Sequence, residues 1–118
     1  MLSLRMRTIV WMLEQWGVWS RSGVFYGADS TLGDLQRKSG MPCLITDEEG
    51  LFIDGVIAQL KQRDERAALV IHYRYYDKLK FTQIAQKLGM SISSTDALIK
   101  RAECWVDAYI VAAIQHAA

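Results

Sequence analysis

Apolar side chains return at helical spacing from the start of this chain, and that period restricts it to packed helices. Between Arg5 and Trp19, wound at about 100° per residue, Ile9, Met12, Leu13, Trp16 and Trp19 fall on one face. Trp11 and Val18 fall on the opposite side, beside Arg7 and Glu14. The first set reads as core. The second invites two readings: a surface that meets a partner, with Arg7, Trp11 and Val18 as its residues, or a surface covered by the loop from Ser20 to Gly40.

That loop is rich in Ser, Gly and Asp, with a short helix allowed near Leu32–Lys38, and Gly40-Met41-Pro42 then breaks the chain. Thr46 and Glu49 have the spacing of a capping box, which satisfies amides that a helix start leaves orphaned. The helix they open is expected to reach about Lys61 and to bury Phe52, Ile53, Val56, Ile57 and Leu60. Gly55 and Ala58 lie close together on a neighbouring face, where a second backbone could approach. Asp64 can cap the next helix, which carries Ala67, Ala68, Leu69, His72, Tyr73 and Tyr76, and Asp77-Lys78 interrupts it.

The stretch KFTQIAQKLGMSISSTDALIKRAE, roughly Lys80 to Glu103, has the mechanics of a helix-turn-helix. Ala85 suits a close helix crossing. Gly89 can take the left-handed backbone that ends the first helix, about Phe81 to Leu88. Ile84 and Leu88 point inward, and Ser91 is placed to cap a final helix from about Ile92 to Ala113. Its buried stripe is Thr95, Ile99, Ala102 and Val106, joined by Leu98, Trp105 and Tyr109. Its outward side presents Ser93, Ala97, Lys100 and Cys104, flanked by Asp96 and Arg101.

Small, polar and cationic residues near a helix N-terminus suit entry into a major groove. Lys100 and Arg101 can reach base edges or phosphates, and Ser93 or Ser94 can donate to a phosphate beside the helix dipole. Asp96 is repelled by phosphate unless it accepts from a cytosine amine or serves the dipole. It therefore predicts weak binding by one copy, helped by a second copy or a larger complex. Lys80 and Gln83, at the start of the first helix, complete the candidate DNA-contacting set.

The run His72 to Tyr76 interleaves aromatics with Arg74. It reads as a nucleic-acid stacking surface or, the commoner use, as packing for the first helix of a three-helix DNA-binding unit, with His72 a partly buried polar residue. No Ser/His/Asp set, paired-carboxylate cleft or Gly-rich phosphate loop is evident, so no enzyme and no cofactor is expected. Cys43 and Cys104 lie in no zinc-ligand spacing with His72 and His116, and read as two free thiols in a reducing compartment.

With 118 residues and 51% hydrophobic composition, the chain suits one compact all-α domain, residues 1–118. Its formal net charge is only +1, but its halves differ. Residues 1–60 carry five Lys/Arg against seven Asp/Glu, −2, and residues 61–118 carry nine against six, +3. A basic C-terminal half permits nucleic-acid binding without requiring it. The apolar run Ile9 to Leu13 is too short to span a membrane, so a cytoplasmic protein is expected.

Residues Leu69 to Val106 resemble the fourth conserved region of bacterial sigma factors, which reads a promoter element. RTIVWMLEQWGVWSR, ITDEEGLFIDGVIAQLK and KRAECWVDAY, in that order, resemble the phage 21-type family of phage antitermination Q proteins. That resemblance implies binding to a DNA element near a phage late promoter, loading onto paused bacterial RNA polymerase, and read-through of downstream terminators. It places Lys80 to Glu103 on the DNA, with residues 63–118 as the sigma-like part. Residues 1–62, with their Trp-rich helix and loop, become the candidate polymerase-contacting part. Lys80 stands where a capping Ser or Thr is usual, Thr95 where an aliphatic is usual, and Asp96 where Lys is frequent. These departures bear on sequence preference rather than fold. Two further readings stay open: a simple sequence-specific transcription regulator, and a protein-interaction module that keeps the helix-turn-helix without touching DNA.

Overall fold

The computed structural model of the chain describes residues 7–22 and 42–117. Every described element is helical: α1 (Ile9–Ser22), α2 (Asp47–Arg63), α3 (Glu65–Ile71), a π-helical turn (His72–Tyr76), α4 (Phe81–Leu88) and α5 (Ile92–Ala117). Most of the Ser20–Gly40 loop, with the helix expected at Leu32–Lys38, lies outside the described residues.

Thr8 opens α1, its Oγ1 accepting the Trp11 amide at 3.1 Å. Met12, Leu13, Trp16 and Trp19 are buried as the helical period requires, and Ile9 packs against their cluster. Two indole N–H groups tie α1 to α2, Trp16 donating to Asp54 at 3.2 Å and Trp19 to Asp47 at 3.0 Å. Each tryptophan thus buries its apolar body while its single polar atom is satisfied.

Both halves of the expected capping box start α2. The Glu49 amide donates to Thr46 Oγ1 at 3.1 Å, and the Thr46 amide to Glu49 Oε1 at 2.9 Å. Ile53, Val56, Ile57 and Leu60 are buried, and Phe52 is half-buried against the core. Gly55 corrects the sequence expectation, because a Cβ there would meet nothing within 4 Å. The close approach occurs at Gly50 instead, where the Trp19 indole occupies the space a Cβ would need.

Asp64 joins α2 to α3 by serving both. Its amide closes α2 on the Leu60 carbonyl at 2.7 Å, and its Oδ1 accepts the Ala67 amide at 3.1 Å to start α3. The helix then widens into the π turn rather than ending simply. The C-terminal end of α1 docks there: a Cβ on Gly17 would overlap the Tyr75 carbonyl, and Arg21 Nη1 donates to the Tyr75 and Tyr76 carbonyls at 2.9 and 2.8 Å. Helix-end carbonyls that lack an intrahelical partner thereby find a cation.

Leu98, Ile99, Ala102, Val106, Ile110 and Ile114 run down the inner side of α5 and join side chains of every other element in one hydrophobic cluster. The helix passes the expected Ala113 and reaches Ala117. Tyr109 departs from the expected buried stripe. It is 40% exposed and tilts against half-buried Trp105 at a ring distance of 5.3 Å.

Candidate nucleic-acid interface

Two helices joined by a tight turn form where the Ala and Gly spacing placed them. Ala85 is buried and Gly89 takes φ +64°, the left-handed conformation that glycine reaches without a Cβ penalty. The Met90 amide closes the turn on the Ala85 carbonyl at 2.9 Å. Ser91 caps α5, its Oγ accepting the Ser94 amide at 3.0 Å. Thr95 is fully buried, and its hydroxyl donates to the Ser91 carbonyl at 2.8 Å. A threonine is thus tolerated in an apolar stripe because its one polar atom is partnered within the helix.

At the start of α4, the Lys80 amide donates to Gln83 Oε1 at 2.9 Å. Gln83 therefore supplies half of a capping box although Lys80 replaces the usual Ser or Thr. Both residues are exposed. Ser93, Ser94, Ala97, Lys100, Arg101 and Cys104 are exposed along α5, and Asp96 is half-buried beside them. Seven of the eight residues expected to face DNA are thus solvent-exposed.

The cations on that surface have carboxylate partners. Lys100 Nζ lies 3.1 Å from Asp96 one turn earlier, and Arg101 Nη2 lies 3.2 Å from Asp64 Oδ2 at the start of α3. Both cations of α5's outer side are thus paired with carboxylates. The Asp96–Lys100 spacing was available as an i,i+4 pair. The Asp64–Arg101 pair joins residues distant in sequence and needed the fold.

Packing accounts for part of residues 72–76, with Tyr73 and Tyr76 half-buried and His72 and Arg74 exposed. Tyr75 is buried and its hydroxyl donates to Glu103 of α5. Burial first, and that hydrogen bond second, hold the phenol above its usual range. His72 is more exposed than expected. It stacks on Tyr76 at 4.5 Å, meets Trp16 edge-on at 6.3 Å and lies 3.3 Å from Asp77.

The candidate partner surface on α1 needs one correction. Val18 is only 3% exposed and cannot face a partner as the chain stands. One turn before it, Gln15 holds the strand of chain leading into α2, donating to the Pro42 carbonyl at 3.1 Å and accepting the Leu44 amide at 2.6 Å. The chain returns along a flank of α1 that periodicity alone left to solvent. Arg7 is exposed, with its guanidinium 4.6 Å above the half-buried Trp11 ring.

Cys43 and Cys104 are free thiols, and burial pushes the Cys43 thiol up. Among the described residues no group of three His, Cys, Asp or Glu is placed to hold a metal ion, and no helix is long and apolar enough to cross a membrane.

Neither a curated protein nor a solved structure matches the chain. The profile of the phage antitermination protein Q family does, over residues 6–116, so a single family spans α1, the helix-turn-helix and the long last helix together. The chain belongs to the phage antitermination protein Q family.

Proposed function

We propose that this protein is a transcription antitermination factor that binds a DNA element near a phage late promoter and converts RNA polymerase to a form that reads through terminators. The observation that carries the reading is a capped, correctly turned helix-turn-helix inside a match to the antitermination Q family that spans nearly the whole chain. In this reading α5 enters the major groove with Ser93, Ala97, Lys100 and Arg101 outward, and Ser94 and Gln83 approach the flanking phosphates. Ile92, exposed at the same end, would meet a thymine methyl. Residues 63–118 would act as a sigma-region-four-like DNA reader, and Arg7 and Trp11 would help the N-terminal part contact polymerase.

A purified transcription system tests it. A template carrying a phage late promoter region and a downstream terminator should give more full-length transcript when the protein is added. Moving that promoter region away should abolish the gain. Promoter binding with no gain in read-through would reduce the protein to a simple regulator, and read-through without DNA binding would leave a pure interaction module.

A further inference from the structure

We infer that the cationic edge made by the π turn and α4, carrying Arg74, Lys78, Lys80 and Lys87, grips the phosphate backbone of duplex DNA beside the groove that α5 enters. This rests on the DNA-binding reading above and extends it from Lys80 to a phosphate-contacting edge outside α5. All four side chains are exposed, and none forms an ion pair among the described residues. Lys100 and Arg101 differ, since each must leave a carboxylate to meet a phosphate. Neutralising phosphates releases condensed counterions, so cations with no carboxylate of their own contribute most to affinity.

The edge is held together by two contacts between the π turn and α4. The Arg74 guanidinium lies 4.7 Å from the Phe81 ring centre, and Lys87 Nζ lies 5.8 Å from that of Tyr73. Those cations occupy aromatic faces that unstacked bases would otherwise use, which favours a duplex backbone over a single strand. Asp77, beside the edge, is engaged by His72. Glu14 shares a shallow hollow with Arg74 and Lys78 and pairs with neither.

Lys78 adds an independent sign. Its φ of +56° makes it the one non-glycine residue with positive φ among the described residues. Glycine or asparagine is the usual solution there, and a lysine is strained. The turn therefore gains nothing from lysine, whereas a phosphate contact would.

The test is a salt titration of binding to a short mixed-sequence duplex, with melting curves on the same preparations. Lys78→Gly removes the charge and relieves the backbone, so its melting temperature should hold or rise while binding weakens. Lys87→Gln provides a second removal away from the turn. Each should lower the slope of log affinity against log salt by about one, and the pair by about two. The outer-helix variants Lys100→Gln and Arg101→Gln should lower it less. If wild-type protein binds the duplex and neither Lys78→Gly nor Lys87→Gln changes the slope, the edge is not a phosphate contact and the DNA-binding reading survives. Larger losses on a single strand than on the duplex would also overturn it. Wild-type protein that binds no duplex overturns both.

Discussion

Arg101 Nη2 lies 3.2 Å from Asp64 Oδ2, while the other oxygen of the same carboxylate accepts the Ala67 amide that starts α3. One aspartate therefore caps a helix and holds a cation of the proposed recognition helix. Asp64→Asn should separate the two roles, since asparagine caps as well as aspartate. An ion pair this exposed contributes little, about 0–1 kcal/mol, so melting should barely move. Freed from its partner, Arg101 should bind DNA more tightly. Unchanged affinity with an unchanged fold would mean that Arg101 does not reach the duplex.

The turn between α4 and α5 gives a packing prediction. Ala85 is buried and its carbonyl receives the Met90 amide that closes the turn. Ala85→Leu should overfill this site and cost on the order of 1–3 kcal/mol. Chemical denaturation reads the cost directly. An undisturbed midpoint would remove Ala85 from the helix crossing.

Three helical glycines should respond with opposite signs. Gly55 is exposed with open space at its Cβ position, so Gly55→Ala should stabilise by about 0.5–1 kcal/mol through helix propensity. Gly17→Ala meets the Tyr75 carbonyl, and Gly50→Ala meets the Trp19 indole. Each should cost about 1–3 kcal/mol as an overpacking change. Thermal melts of the three variants side by side would expose a misplaced α1 if Gly17→Ala proved harmless.

These glycines also show what the sequence could and could not convey. Local devices were legible because their chemistry lies within a few residues: Thr46 with Glu49, Asp64 with Ala67, Ser91 with Ser94, and Gly89 at its turn. The core faces of α1, α2 and α5 were legible for the same reason, since one period orders each helix. Which glycine a partner would approach was not, because that depends on where Trp19 lands. Val18 failed similarly, because its burial comes from tertiary surroundings that the period of α1 does not encode. The outward set of α5 followed from periodicity, but the pairing of Arg101 with Asp64 needed the tertiary fold.

Tyr75 makes alkaline stability informative. Burial and the Glu103 hydrogen bond favour the neutral phenol in the folded state, raising its pKa above the unfolded value of about 10. A raised folded pKa gives stability that is complete below the unfolded pKa and declines as pH climbs toward the folded one. Tyr75→Phe should cost about 0.5–1.5 kcal/mol near neutral pH for the lost hydrogen bond. It should also lose less stability than wild type when pH is raised past about 10. Equal alkaline losses in the two proteins would show that Tyr75 is not the titrating group.

The first helix offers the means to separate DNA binding from its consequence. With Val18 buried, the candidate partner surface of α1 reduces to Trp11, with the Arg7 guanidinium 4.6 Å above its ring. An indole that is half-buried and topped by arginine has the composition enriched at protein contacts. Trp11 also packs on the core cluster, so Trp11→Ala should lower stability. The loss should be about 1–3 kcal/mol, below the roughly 3–5 of a fully buried aromatic. DNA affinity should stay close to wild type, because none of the residues proposed to touch DNA lies on α1. Read-through should fall, since the contact with polymerase would be lost. Arg7→Gln, which leaves the indole in place, should reduce read-through less while leaving melting unchanged. Melting, DNA binding and read-through measured on one preparation decide it. Full read-through by folded Trp11→Ala protein would take Trp11 off the polymerase-facing surface, and parallel loss of folding and DNA binding would make it a core residue.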